Sequence, residues 1–452
     1  MKFDRFKIGD LADNVTDGEH GSVIDDANGK YYLLSNKNIK NSKISYDESD
    51  RKIAKVSFEK INKRTKLEKN DVVISTVGSI GRTAIIKDED IKYDFQRSVG
   101  IIKTDKSKLL PEYLHYYFQL PYVQKRLNYL SSGAVQKCLF ISDLRNIEID
   151  IPDRFEYQKQ IAKVLSDLDA KIEVNNKINK ELEALAKTIY DYWFVQFDFP
   201  DENGKPYKSS GGKMVYNEEL KREIPEGWEQ STIADWIENH ANGDWGKSEP
   251  EGKYTVEVNC IRGADLPSLD GFKSNQSPTR YIHENKTHKI LKSDDLIVEI
   301  SGGSPTQSTG RISFVTEETF KRYEAPLICA NFCKTVRLKN PKNLYNFYYT
   351  WKEAFDQGNM FNYEGKTSGI RNLLFSSLVE SFKVPVPDRK LVDEFYEFMK
   401  PIQKQKQQNL LENQKLAELR DWLLPMLMNG QVRVAQSLEE GNIGATKENN
   451  TI

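Results

Sequence analysis

The feature that most constrains the fold of this chain is an internal repeat with an offset of roughly 230 residues. Three segments of the first half return in the second half in the same order: LEKNDVVIS as LKSDDLIVEIS, GSIGRTAII as QSTGRISFV, and LFISDLRNIEIDIPD as LLFSSLVESFKVPVPD. An offset this long indicates a duplicated domain rather than a solenoid. The repeat predicts two similar sites held apart by a spacer, although two copies with unrelated roles stay an open alternative.

Composition predicts a polar globular protein. The 452 residues are 38% hydrophobic and 29% charged, and a chain of this length predicts about three domains. No run of eighteen apolar residues is present, and the charged N-terminus MKFDRFKIGDLADN lacks the apolar core of a signal peptide. The four cysteines form no paired CxxC motifs. We therefore expect a cytoplasmic protein with reduced thiols and no membrane partner.

Changes in residue pattern along the chain predict six segments and an α+β fold class. Mixed strand and helix signals alternate with long amphipathic helix signals and a Gly-, Pro- and Ser-rich stretch. The predicted segments are a first mixed α/β domain (1–153), a first long helix (154–196), a linker (197–227), a second mixed α/β domain (228–388), a second long helix (389–430) and a disordered tail (431–452).

The two helix segments carry narrow apolar seams. Apolar residues recur at three- and four-residue steps from Ile161 to Trp193 and again from Leu391 to Leu427. A long helix with such a seam needs another helix against it, which predicts a coiled-coil spacer. Polar residues at 175–176 and 407–409 interrupt the seams and are expected to fix the register. Pro401 is expected to disturb the second helix.

Motifs for catalysis are missing from the sequence. There is no GxxxxGK[ST] phosphate loop, no GxGxxG after a strand, no Asn-Pro-Pro-aromatic tetrapeptide for methyl transfer and no HExxH zinc motif. Asp294, Asp295 and Glu299 resemble a nuclease carboxylate cluster, but the first copy keeps only Asp71. Solvated carboxylates at a strand edge explain this cluster better than a nuclease does.

Recognition chemistry remains, and it is duplicated. The candidates share polar side chains in or beside the repeated turns, suited to base edges or phosphates: Ser79, Arg82, Gln96 and Lys137 in the first copy, and Ser308, Arg311, Asn331, Lys366 and Arg371 in the second. Arginine can pair with guanine and an amide with adenine, and we treat Gln96 and Asn331 as equivalent positions. For each residue alone, a surface charge or a turn hydrogen bond remains an alternative.

Local charge supports the same interpretation. Residues 51–110 contain 15 Lys and Arg against 8 Asp and Glu, and residues 271–340 contain 11 against 7. The net charge of the whole chain is only −1, so the basic excess is confined to the repeated domains. Such excess favours contact with phosphates, with ordinary solvated surface as the alternative.

Taken together, the layout resembles the specificity (S) subunit of type I DNA restriction–modification systems. Three segments carry the likeness across nearly the whole chain: TIYDYWFVQFDFPDENGKP after the first helix, IPEGW before the second domain and LLPMLMNGQV at the end of the second helix. The resemblance implies two target-recognition domains with internal pseudo-twofold symmetry, each reading one half of a bipartite site in double-stranded DNA. It also implies that the two long helices pack antiparallel and set the unread gap.

The resemblance further implies partners and a division of chemistry. Two methyltransferase (M) subunits are expected to dock on the chain, and restriction/motor (R) subunits through them. Cofactors are expected on those partners (S-adenosylmethionine, ATP and Mg) and none on this chain. The family provides no base-contacting residue to transfer, so the nine nominated residues rest on the repeat alone.

Two other classes of function stay open from the sequence. A fused or degenerate restriction or modification enzyme would show activity in the purified chain. A coiled-coil scaffold that binds protein alone would show partner binding without DNA affinity. The missing motifs count against the enzyme, and the duplicated basic turns count against the scaffold.

Overall fold

The computed structural model describes residues 1–131, 137–271, 276–304, 306–367 and 370–434, with the backbone alone at 366 and 367. The chain divides into two compact units, which we call unit one (Met1–Ala170 and the chain from Leu416 onward) and unit two (Lys171–Lys415). The predicted tail, 431–452, lies outside the described residues from 435 on. Nowhere in the described ranges is a helix both long and apolar enough to cross a membrane.

Unit one is a mixed α/β body. Its strands are β1 (Phe3–Lys7), β2 (Ala12–Asp17), β3 (Tyr31–Leu34), β4 (Ile39–Lys40), β5 (Lys43–Ile44), β6 (Lys52–Ile53), β7 (Val72–Ser75), β8 (Thr83–Ile85), β9 (Tyr93–Phe95), β10 (Val99–Thr104) and β11 (Glu148–Pro152). Its short helices are α1 (Lys55–Thr65), α2 (Pro111–Gln119), α3 (Pro121–Leu130) and α4 (Ile141–Arg145). The β-branched runs 31–35, 72–77, 82–86, 99–103 and 147–151 predict strands, and the segment 111–120, with proline in its first turn, predicts a short helix. The structure confirms all six within one to two residues.

The central sheet of unit one has the order β2-β10-β7-β8, and each neighbouring pair is antiparallel. Side chains alternate across a strand, so Val72 and Ile74 join the core formed with α2 and α3 while Val73 joins a second core with Tyr93 and Phe95. Both faces of β7 are therefore buried, which explains its continuous apolar run.

The first long helix, α5, runs Phe155–Tyr190 and continues into a π-helical turn, Asp191–Val195. The segment predicted as a linker follows it and contains an antiparallel hairpin. Its strands open unit two's set: β12 (Met214–Asn217), β13 (Arg222–Pro225), β14 (Glu229–Thr232), β15 (Ile237–Asn242), β16 (Tyr254–Ile261), β17 (Thr279–His283), β18 (Leu296–Glu299), β19 (Ser301–Gly302), β20 (Ile312–Phe314), β21 (Leu327–Cys329), β22 (Cys333–Leu338), β23 (Glu364–Thr367), β24 (Ile370–Leu373) and β25 (Lys383–Val386).

The short helices of unit two are α6 (Leu266–Leu269), α7 (Glu317–Phe320), α8 (Leu344–Asp356) and α9 (Phe375–Ser381). Three sheets of unit two repeat sheets of unit one. The order β15-β22-β18-β20 matches β2-β10-β7-β8, the parallel pair β16·β21 matches β3·β9, and the antiparallel pair β14·β25 matches β1·β11. The predicted duplication is therefore present in the fold.

The second long helix, α10, runs Arg389–Met428 without interruption through Pro401 and Pro425. It ends two residues before Gly430, whose φ of 77° suits a helix terminator. In unit one, Leu424 and Leu427 of α10 share the α2 core with Ile161 and Leu165 of α5. This core fastens both helices to the α/β body of that unit.

Within unit two, polar side chains join α5 to α10. Asn175 Nδ2 donates to Asn413 Oδ1 (2.9 Å), and Asn409 Nδ2 donates to Asn179 Oδ1 (2.8 Å). Asn175, Asn179 and Asn409 are buried. Positions rise along α5 as their partners fall along α10, so these segments are antiparallel. Asn175 and Asn409, two of the polar residues noted in the seams, thus pair across the helices. Gln407 instead accepts a hydrogen bond from Arg322 and donates one to the carbonyl of Leu269.

Candidate nucleic-acid interface

Four loops of unit one meet at one end of its central sheet, and we call them loop cluster one (residues 35–38, 76–82, 96–98 and 137–139). Asn36 Nδ2 donates to the carbonyl of Val77 (2.7 Å), and the N–H of Asn36 donates to Ser98 Oγ (3.2 Å). The N–H of Thr76 donates to the carbonyl of Ser98 (3.0 Å). The N–H of Gly78 donates to the carbonyl of Lys137 (3.2 Å). These bonds fix four separate loops as one surface.

Cationic side chains project from loop cluster one. Arg82, Arg97 and Lys137 are exposed, as is Ser79 in the turn between β7 and β8. Arg82 also lines an open cavity of about 610 Å³ beside Lys40. Exposed arginine and lysine on a fixed backbone suit contact with phosphates and guanine.

The equivalent end of the sheet in unit two forms loop cluster two (residues 262–265, 300–304, 306–311, 330–332 and 371–373). The N–H groups of Ile300 and Ser301 donate to the carbonyl of Phe332 (2.9 and 3.3 Å), and the N–H of Leu373 donates to the carbonyl of Ile300 (2.9 Å). As in unit one, backbone hydrogen bonds hold loops from distant parts of the chain together.

Backbone hydrogen bonds confirm that Arg82 and Arg311 are equivalent. The N–H of Ser75 donates to the Arg82 carbonyl, and the N–H of Glu299 donates to the Arg311 carbonyl, both at 2.8 Å. The preceding glycines, Gly81 and Gly310, have φ of 88° and 121°, a region that favours glycine. The same turn therefore recurs, although its side chains differ.

The equivalence predicted for Gln96 and Asn331 is wrong by one residue. The N–H of Gln96 donates to the Leu34 carbonyl and the N–H of Ala330 to the Ile261 carbonyl, both at 2.8 Å, at the same point of the repeated parallel pair. Gln96 thus matches Ala330, and Asn331 matches Arg97. The prediction matched Gln96 with Asn331 because both side chains are amides, whereas the backbone hydrogen bonds show that their positions differ by one residue.

The candidate residues of unit two are less available for contact with DNA than those of unit one. Ser308 is buried. Arg311 forms a two-bond ion pair with Glu299, and Arg371, the register partner of Gly302, pairs with Glu364 at 2.8 Å. The side chain of Lys366 lies outside the described residues. Asn331 is exposed.

Two of the three carboxylates that resembled a nuclease cluster, Asp295 and Glu299, are buried in ion pairs rather than solvated. Arg337 Nε and Nη2 donate to Asp295 (2.7 and 3.0 Å), and Lys103 Nζ donates to the equivalent Asp71 (2.5 Å). Burial raises the pKa of Asp71, and the hydrogen bond from Lys103 opposes that rise. Within the described ranges, no three His, Cys, Asp or Glu side chains are grouped to hold a metal. These pairs therefore tie strands together.

Sequence reasoning missed three residues of these surfaces. Arg97 is the neighbour of the nominated Gln96, Phe332 is 53% exposed beside Asn331, and Glu299 determines where Arg311 points. One signal was available in the sequence: Glu299 stands where the first copy has Ser75, in the same turn as an arginine.

Comparison with known proteins shows which proteins the chain is similar to. Residues 2–184 match the type I restriction modification DNA specificity domain. The specificity subunit of the type I restriction enzyme MjaIX from Methanocaldococcus jannaschii is 25% identical over 375 residues, covering 81% of this chain and 79% of the relative. The chain is similar to the specificity subunits of type I restriction–modification systems over about four-fifths of its length, and residues 2–184 match their DNA specificity domain. It therefore recognises DNA sequence within such a complex, and the enzyme and scaffold alternatives are not favoured.

Two further specificity subunits agree with this assignment. That of the HindI enzyme from Haemophilus influenzae is 23% identical over 418 residues, covering 81% of this chain and 87% of the relative. The fold of the S subunit from M. genitalium, known from a crystal structure, aligns with 94% of this chain and 96% of that chain, with a TM-score of 0.57 at 18% identity. The two-domain α+β fold with long helices is thus shared.

Proposed function

We propose that unit one and unit two each bind one half of a bipartite site in double-stranded DNA, through loop clusters one and two. The observation that carries this proposal is the repeated turn of Arg82 and Arg311, with the same glycine and the same 2.8 Å backbone bond in both units. Two similar readers on one chain require two half-sites at a set separation, as in dimeric DNA-binding proteins.

Direct contacts in unit one come from Arg82, Ser79 and Lys137 in this proposal. Arg82 donates two parallel hydrogen bonds to guanine O6 and N7 in the major groove. Lys137 and Ser79 contact phosphates and hold the unit in register on the duplex. Gln96 is half-buried, and its N–H donates to the carbonyl of Leu34 (2.8 Å), which fixes the loop.

Docking of methyltransferase subunits is assigned to the long helices. Exposed apolar side chains lie on both of them: Val174, Ile178 and Leu185 on α5, and Phe398, Leu419 and Trp422 on α10. Apolar side chains left in solvent on amphipathic helices suit a protein partner. Restriction/motor subunits join through the methyltransferase, and the complex acts on DNA in the cytoplasm.

The chain contributes recognition and no catalysis in this proposal. S-adenosylmethionine, ATP and Mg are bound by the partner subunits. Purified chain incubated with these cofactors and DNA is expected to leave the DNA unmethylated and uncut, while still retarding a duplex that contains the site. Methyl transfer by the purified chain alone would revive the enzyme alternative.

The central experiment is methylation mapping of DNA from cells that carry the chain with its methyltransferase. The wild type is expected to yield a split motif. Arg82→Ala with Lys137→Ala is expected to weaken or erase methylation by altering one half of that motif. Lys106→Ala is the matched control, because Lys106 is exposed at the opposite end of β10. An unsplit motif, or none that depends on the chain, would contradict the proposal.

A further inference from the structure

Equivalent positions of the two loop clusters carry different chemistry. In unit one, Arg82, Arg97 and Lys137 are exposed, and among the described residues no ion pair or hydrogen bond engages their side chains. The equivalent residues of unit two are Arg311, Asn331 and Arg371. The first and last of these are held by carboxylates, and the middle one is a neutral amide.

The pair of Arg311 and Glu299 is built into the floor of loop cluster two. Arg311 Nε lies 2.9 Å from Glu299 Oε2, and Arg311 Nη2 lies 2.7 Å from Oε1. Glu299 is 2% exposed. A Cβ atom at Gly263 or Gly302 would come within 2.4 or 2.6 Å of Glu299 Oε1, so glycine at both positions makes room for the carboxylate.

Unit one lacks this arrangement on the same backbone. Ser75 replaces Glu299, and its hydroxyl accepts from the N–H of Arg82 (2.9 Å). The N–H of Ser35 donates to the side chain of Asn38, and the N–H of Arg262 donates to the side chain of Asp265, both at 3.0 Å. Ser35 and Arg262 are therefore equivalent, and the next residue is Asn36 in unit one and Gly263 in unit two. Asn36 Nδ2 donates to the carbonyl of Val77 (2.7 Å), so a side chain stands at the position where unit two has glycine. Arg82 is consequently left free.

The second arginine of unit two is held in the same way. Arg371 Nη1 lies 2.8 Å from Glu364 Oε2, while Glu364 Oε1 accepts from the N–H of Thr309 (2.7 Å). The Glu364 side chain is 6% exposed. Moving either arginine onto a base would leave a buried carboxylate without its partner, which is strongly unfavourable.

In the described part of loop cluster two, the exposed side chains are therefore neutral or apolar. Asn331 is exposed, and Phe332 beside it exposes 53% of its surface. The Phe332 carbonyl accepts hydrogen bonds from Ile300 and Ser301, so the pair is fixed on the sheet end. A side-chain amide pairs with N6 and N7 of adenine, and an apolar side chain contacts the methyl group of thymine.

We infer that the two units read half-sites of unlike base composition: unit one reads guanine through Arg82 and Arg97, and unit two reads A·T pairs through Asn331 and Phe332. The inference rests on the proposed function and deepens it. Arg311 is then a positioning residue, and Glu299 is the residue that withdraws it from the DNA.

Arg97 and Asn331 provide a matched pair for the test because they occupy the same place in the two units. Methylation mapping in cells that carry the methyltransferase would compare Arg97→Ala and Asn331→Ala with wild type. Arg97→Ala is expected to lower discrimination at a guanine of one half-site by roughly 5- to 150-fold. Asn331→Ala is expected to lower discrimination at an A·T pair of the other half-site by a similar factor. Lys339→Ala is its control, because Lys339 is exposed just after the opposite end of β22.

Each outcome separates the inference from the proposed function. A wild type without a split motif would overturn the proposed function. A split wild-type motif in which Asn331→Ala relaxes a G·C pair, or in which both variants leave the half-sites unchanged, would overturn the inference alone.

An exchange of the carboxylate provides a second test. Glu299→Ser with Gly263→Asn gives unit two the residues of unit one and releases Arg311. This variant is expected to gain a guanine preference in the unit-two half-site while the other half-site stays unchanged. A correctly folded variant that keeps the wild-type half-site would contradict the role of Glu299, and if it fails to fold the Arg97 and Asn331 variants still decide the question.

Discussion

At the residue scale, Arg82 and Arg311 show how one turn supports two roles. Both follow a glycine in the same backbone register, but only Arg311 has a buried carboxylate within reach. Arg311→Ala is expected to destabilise the protein by about 3–5 kcal/mol, because Glu299 would stay buried without its partner. Arg82→Ala should change stability far less, since its side chain is exposed.

Urea denaturation of the two variants checks this expectation. The double variant Arg311→Ala with Glu299→Ala should recover part of the loss, because it removes the unpaired charge along with the partner. If both variants lost the same free energy of unfolding, the buried pair of Arg311 and Glu299 would not contribute to stability as expected.

Asp94 carries a prediction about pH. Burial raises the pKa of its carboxyl group to about 6, although Thr65 Oγ1 and the N–H of Phe95 donate hydrogen bonds to it (2.6 and 2.8 Å). An unfolded Asp titrates near pH 3.9, so between about 4 and 6 the folded state binds more protons. The stability that this group contributes is present at pH 4 and is lost as the pH rises through about 6.

Asp94→Asn removes that dependence. Relative to wild type, its free energy of unfolding should gain roughly 2 kcal/mol between pH 4 and pH 8. Asp105→Asn is the control, because the hydrogen bond from the Ser107 side chain lowers the pKa of Asp105 to about 2. The difference between Asp105→Asn and wild type should stay constant from pH 4 to 8. A constant difference for Asp94→Asn as well would refute the assignment.

At the element scale, the asparagines between α5 and α10 fix the register of the two helices but stabilise them less than apolar residues would. Asn179 and Asn409 are buried and pair at 2.8 Å. Asn179→Leu alone should cost about 1–3 kcal/mol, because Asn409 would lose its acceptor. Asn179→Leu with Asn409→Leu should recover most of that loss, as two apolar groups replace both partners. A double-mutant cycle in urea measures this coupling, and additive losses would argue against it.

Sequence patterns predicted the elements whose signals are local. The runs VVIS and VGIIK became β7 and β10, and the seams became α5 and α10. The hairpin of β12 and β13 was missed, because Gly, Pro and Ser in the surrounding segment are as typical of turns as of linkers.

The sites were harder to predict because side-chain partners are set by tertiary packing. The sequence places an arginine after a glycine in both copies. The carboxylate that pairs with Arg311 belongs to Glu299, and it needs the space left by Gly263, which lies 36 residues before Glu299 in the chain. The slip between Gln96 and Asn331 arose in the same way. One residue of offset is invisible without the hydrogen bonds that fix the strands.

At the scale of the whole molecule, the proposed docking of methyltransferase predicts separable variants. Trp422 on α10 exposes 57% of its surface, and exposed tryptophans often dominate binding energy at interfaces. Trp422→Ala should weaken methyltransferase binding by at least roughly tenfold without altering either half-site. Lys415→Ala, an exposed polar position on the same helix, is the control in the same calorimetric titration. An unchanged affinity for Trp422→Ala would move the docking surface elsewhere.

The proposed spacer leads to the last prediction, which concerns the gap between half-sites. Lys177 lies midway between Asn175 and Asn179, and Leu411 lies midway between their partners. Seven residues inserted after each position would lengthen both helices by about 10 Å and keep the seam nearly in phase. That length equals roughly three base pairs of DNA.

The methylated motif should therefore keep both half-sites while its gap grows by roughly three base pairs. Seven residues inserted after Gly204, in an exposed turn outside the helices, should leave the gap unchanged. If the helix insertions retained methylation at the original gap, α5 and α10 would not set the separation. The inserted residues lie far in sequence from either loop cluster. If the insertions changed a half-site instead of the gap, the helices would therefore influence base recognition by the units, not only their separation.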